Sequence, residues 1–137
     1  MRLDQRVAAT ERAVARFRGK PFCWRNRRTC IHVARAQARA LKHRPPAIPD
    51  FRSPVGARRA LRDAGFETME ALLDGLFPRI PPAAMWVGDL ALVPGSDGFD
   101  AIAVAAGNGT LLMYHEGAEG LANVKDAIPH VIAAWRL

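Results

Sequence analysis

Two cysteines in 137 residues are too few for a disulfide framework, so neither thiol is explained by stapling a small fold. Long apolar runs are missing as well. The longest, Ala101 to Ala106, is far below a membrane span, and the opening Met1-Arg2-Leu3-Asp4-Gln5-Arg6 lacks the apolar core of a secretory signal. A chain made and kept in soluble form, without membrane insertion, is the expectation. Metal-ligand spacing is also wanting: Cys23, Cys30 and His32 match no familiar zinc pattern and have no fourth ligand. No cofactor is expected. Acidic residues are scarce in one part only, since residues 1–62 carry three Asp/Glu against 17 Lys/Arg. Residues 63–137 reverse the balance, with ten against three.

What remains is the composition of one globular domain, half apolar and 24% charged, without repeats or low-complexity segments. The basic part is almost all arginine, the side chain suited to bidentate contacts with carboxylate or phosphate. Two kinds of partner fit it. One is a neighbouring subunit with an acidic face; the other is nucleic acid, which the acidic remainder of the chain disfavours. Arg25, Arg27, Arg28, Arg35 and Arg39 are the candidate interface residues.

Periodicity predicts a helix over 4–18, with Asp4 as N-cap, Val7, Thr10, Val14 and Phe17 inward, and Arg6, Glu11, Arg12 and Arg16 in solvent. Gly19 stops it. A loop follows, and the spacing of Ile31, Ala34, Ala38 and Leu41 predicts a second helix that starts at Cys30, has Thr29 as N-cap and is blocked by Pro45-Pro46. Helices over 54–64, capped by Ser53, and 68–76 come next. The period then changes to two: 88–94, 101–106 and 110–115 read as a strand meander with a hairpin at Gly107-Asn108-Gly109. Residues 131–137 fit either a last strand or a helical turn. Helices first and antiparallel strands after is an α+β order, so the fold class is α+β with N-terminal helices on a small antiparallel sheet.

Four short motifs occur in a telling order: Pro21-Phe22-Cys23-Trp24, Thr29-Cys30 with Ala34 one turn later, Gly88-Asp89-Leu90-Ala91-Leu92-Val93, and Ala134-Trp135-Arg136-Leu137. This layout resembles the NlpC-type branch of the papain-like cysteine peptidases. More narrowly, it is similar to an uncharacterised phage and prophage family whose genes sit among tail genes. The resemblance implies one papain-like domain over 1–137 and a virion tail component near the hub or tip, assembled in the host cytoplasm among other tail proteins.

It also implies a catalytic plan. Cys30 takes the nucleophile position, where a helix N-terminus and the nearby Arg25, Arg27 and Arg28 are expected to stabilise a thiolate. The base histidine should open the strand at 101, but Ala101 stands there; the third polar position falls near Met113. Arg25 and Thr29 replace the family's usual glycine and aspartate. His115, on Met113's face by strand alternation, is the nearby substitute base. Asp100 also lies close. His32 is expected at the surface or packed on a loop, pointing away from the thiol; His43, His130 and Cys23 are expected to be structural.

Three functions follow from these residues. The first is a structural tail protein on a peptidase-like fold without its base. The second is an active cysteine hydrolase acting on peptidoglycan, with Cys30 and His115. The third is a basic nucleic-acid-binding module.

Overall fold

The computed structural model describes residues 1–95 and 99–137; part of the turn expected after residue 94 lies outside them. Four helices precede a six-stranded antiparallel sheet, in the α+β order. The helices are α1 (Leu3–Ala15), α2 (Cys30–Ala40), α3 (Pro54–Asp63) and α4 (Met69–Leu76). The strands are β1 (Arg79–Ile80), β2 (Leu90–Val93), β3 (Ala101–Gly107), β4 (Thr110–Met113), β5 (Ala122–Val124) and β6 (Ala133–Trp135).

Local chemistry accounts for the helix starts. Thr29 Oγ1 accepts from the backbone N–H of Ile31 and His32, so α2 opens on Cys30. Ser53 and Thr68 cap α3 and α4 in the same way. α1 departs from expectation: its N-cap is Arg2, whose N–H is caught by Gln5 Oε1 at 2.8 Å, and Asp4 sits inside the first turn. Thr10, Val14 and Phe17 face inward as expected, with Ala9 and Ala13 beside them, but Val7 does not. Arg6 is buried while Val7 is 42% exposed, because an acidic partner waits for Arg6 across the core.

The sheet order is β1-β6-β2-β3-β4-β5. Residues 133–135 therefore form a strand, and it lies centrally between β1 and β2, pairing Leu90 with Trp135 and Leu92 with Ala133. The β3–β4 hairpin turns through Gly107, Asn108 and Gly109, all at positive φ, where glycine and asparagine are the favoured residues. Strand alternation sends Leu90, Leu92, Ile102, Val104, Leu112 and Trp135 toward the helices, where they pack with Val14, Val33, Ala34, Ala38 and Leu41. α2 thus lies on the sheet, as its apolar spacing predicts. The other face carries Ala91, Val93, Ala103, Ala105 and Leu111, covered by Ala127, Met85 and Val131 from the connections.

One polar node ties the two halves of the chain together. Asp89 is fully buried: Oδ1 accepts from Arg6 Nη2 at 2.8 Å and the Leu137 N–H at 3.0 Å. Its Oδ2 accepts from Arg136 Nε at 2.9 Å and the Trp86 N–H at 2.7 Å. Every lone-pair direction of the carboxylate is engaged, which is what a buried charge requires. Arg6 adds bonds to the carbonyls of Val87 and Leu137. Gly88 is needed beside it, since φ is +94° and a Cβ there would stand 2.9 Å from both Gln37 Nε2 and Thr10 Oγ1. Those two atoms bond to each other at 2.9 Å and join α2 to α1.

Candidate functional site

The loop before α2 is shaped by aromatic packing. Phe22 meets Trp24 and Tyr114 edge-on at 5.4 and 5.5 Å, and Trp24 meets Phe51 at 6.0 Å. Reciprocal backbone hydrogen bonds between Cys23 and Arg28 close the turn between them, with Arg27 at φ 58°. This wall and the first turn of α2 enclose a cavity of about 50 Å³ lined by Phe22, Trp24, Cys30, Asp100, Ala101, Tyr114, His115 and Glu116. The sequence-predicted nucleophile position, the residue in place of its base, and the substitute base thus reach one place.

Their chemistry is not that of a thiolate site. Cys30 is half-buried, and burial pushes its thiol above the ordinary value; the backbone N–H groups of Ile102, Cys30 and Ile31 pull the other way without prevailing. Arg25, Arg27 and Arg28 do not act on the sulfur, which corrects the expectation that they stabilise a thiolate. Ala101, at the first position of β3, lines the cavity with a methyl group and accepts no proton. His115 is exposed, and its Nδ1 lies 3.1 Å from the carbonyl oxygen of Glu116. Among the described residues, no hydrogen bond joins its ring to Cys30. Met113 packs on the other face of the sheet. The cavity therefore holds a protonated thiol beside apolar and aromatic walls, with no base engaged on it.

Of the two expected settings for His32, surface or loop packing, the structure shows the second: the side chain is buried against the connection after α2. Its Nδ1 lies 2.8 Å from Thr29 Oγ1, its ring leans on Phe51 at 5.6 Å, and burial, then Arg27 and Arg35, lower its pKa to about 4. It forms no ligand set with the cysteines, and no cluster able to hold a metal occurs among the described residues. His43 packs edge-on against Phe77 at 5.2 Å.

A family model described as a domain of unknown function (DUF6950) matches residues 1–137. The chain belongs to the DUF6950 family. No curated protein matches it.

Two further hollows lie in this DUF6950 domain. One, of about 200 Å³, is walled mostly by apolar side chains of α2, α3, α4 and the proline-rich connection between α2 and α3, with Arg35 at its edge. The other, of about 440 Å³, gathers Arg27, Arg28, Arg35 and Arg39 with Arg16 and Lys20. Arg25 is left out of it. Composition alone marks the arginine excess of the first 62 residues, but Arg16 and Lys20 join the groove only because α1 packs beside α2.

The residues that sequence reasoning missed are structural. Asp89, Arg6 and Arg136 share the buried node, so the Gly88-Asp89 and Trp135-Arg136 motifs are parts of one assembly. Asp74 is the other. It accepts from Trp135 Nε1 at 2.9 Å and takes Arg79 bidentately at 2.9 and 2.7 Å, and these bonds, Arg79 first, hold its carboxyl down at about 2. For Asp89 the visible signal was its place just before the apolar strand Leu90–Val93; Asp74, inside α4, carried none.

Proposed function

We propose that this chain is a structural virion protein of a bacteriophage tail, placed near the hub or tip and built on an NlpC-type, papain-like fold that has lost its catalytic base. The observation that carries the reading is the cavity at Cys30. The resemblance puts a histidine at the start of β3, and the residue that lines the cavity from there is Ala101, beside a thiol that burial keeps protonated. The motif order supplies the peptidase layout, and the missing proton acceptor removes the step that layout serves. A multi-subunit tail also gives the chain's two charge regions separate neighbours. Other tail proteins are the partners in this reading.

A second reading, a hydrolase acting on peptidoglycan, draws on His115 lining the same cavity as Cys30. The two readings separate in a phage carrying Cys30→Ser. The structural reading expects particles that assemble and infect at the parental titre, because the hydroxyl fills the same space. A loss of infectivity with intact particles, and of muropeptide release from cell walls by the pure protein, would favour the hydrolase.

A further inference from the structure

The groove of about 440 Å³ between the C-terminal end of α1, the loop before α2, and α2 itself has an unusual lining: Arg16, Lys20, Arg27, Arg28, Arg35 and Arg39, and no carboxylate. Like charges gathered into a concavity repel one another and raise its potential. Three arginines away from the groove are neutralised: Arg6 and Arg136 on Asp89, and Arg79 on Asp74 and Glu70. Among the described residues, none of the six groove cations has a carboxylate within ion-pairing distance.

The arginines are also held in place. Arg27 Nη2 donates to the Ile48 carbonyl at 3.3 Å, Arg28 Nε to Pro21 at 2.9 Å, and Arg35 Nε to Pro46 at 3.0 Å. Each tether fixes a guanidinium, so less side-chain entropy is lost when a ligand arrives. The floor repeats the pattern. His32 lines the groove, is 8% exposed, and its Nε2 is buried with no partner. Thr29 Oγ1 already accepts two backbone N–H groups, so its hydroxyl proton goes to His32 Nδ1, and the ring proton resides on Nε2 as a donor without an acceptor. The charged side chains of the site are all cationic donors, with no carboxylate among them; Asn26 adds a neutral amide.

We infer that this groove is a carboxylate-binding seat that takes an extended acidic segment of a neighbouring protein. A duplex is too wide to enter a hollow of this volume, whereas an extended peptide fits it. Phe17, Ala36 and Ile48, which share the lining, offer apolar contact to a peptide and none to a bare polyphosphate. The inference deepens the assembly reading by naming the chemistry of the partner's surface. It is tested apart from it, because a peptide binds or fails to bind whether or not the protein belongs to a tail.

The experiment is fluorescence anisotropy of labelled hexaglutamate with the full chain at physiological salt, about 0.15 M. Saturable binding is expected, weakened about tenfold in Arg35→Ala/Arg39→Ala, the loss of roughly one charge-assisted contact. Arg25→Ala, in the same loop and outside the groove, removes one charge and should leave binding within about twofold, a loss far below one contact. Arg35→Lys/Arg39→Lys keeps the fold and the charge but lacks the planar fork, and should fall between. His32 ring resonances should move on adding hexaglutamate. Absence of binding would overturn the inference. So would an equal loss in Arg25→Ala, or tighter binding of tripolyphosphate or of duplex DNA than of hexaglutamate.

Discussion

Asp89→Ala is expected to lower unfolding free energy by about 3–5 kcal/mol, the cost of leaving a buried cation without its counter-charge. Arg6 and Arg136 both lose their partner, and the N–H groups of Trp86 and Leu137 lose their acceptor. For a domain of this size that is a large share of the total, about 5–15 kcal/mol. Asp89→Asn, which keeps the shape and some of the bonds, should lose less and remain measurable if the alanine variant does not fold. Chemical denaturation with unchanged slope reads the difference. Adding Arg6→Ala to Asp89→Ala should cost less than the two single changes together, because the orphaned charge is then gone. A cost for Asp89→Ala below about 1 kcal/mol, in the range of exposed pairs, would show that the node does not hold α1 to β2 and β6.

The second large effect is a pH dependence from His32. Its folded pKa of about 4 lies below the ordinary 6.5, so the ring is neutral in both states above pH 6.5 and its contribution is fully present there. As pH falls from 6.5 to about 4, the unfolded chain takes up a proton that the folded chain refuses, and stability is lost. A displacement of this size is worth on the order of 3 kcal/mol by the lower limit of that window. Below it the folded ring protonates too and the loss stops growing. His32→Leu, apolar and of similar size, should flatten this part of the stability curve relative to the parent. Parallel curves for the two proteins, or an imidazole titrating near 6.5 by NMR, would contradict the assignment of a buried neutral ring.

Legibility in the sequence followed the range of the interactions. Caps are local, so Thr29 and Ser53 placed two helix starts correctly. The period-two runs located β2, β3 and β4, and the glycines at 107 and 109 located their hairpin. β1 has two residues and β5 is exposed throughout, so neither carries an apolar alternation to read. The strand identity of residues 133–135 is settled by pairing with Leu90 to Leu92, more than forty residues earlier, and no local period contains that. Arg6 was placed in solvent for the same reason: its partner lies 83 positions away.

At the site, Cys30, Ala101 and His115 line one cavity. The state of the thiol was not legible. A helix N-terminus and three arginines argue for a thiolate on paper, but burial outweighs the backbone N–H groups that act on the sulfur. His32 shows the same limit, since its position after Cys30 told which way it points and not that Phe51 covers it.

The most direct measurement of the central proposal is quantitative mass spectrometry of gradient-purified tails from a phage that encodes this chain. The structural reading predicts the protein in the tail fraction at a fixed, small-integer ratio to other hub or tip proteins, retained after high-salt washing. Its absence from washed tails, with the protein recovered free in the lysate, would contradict it.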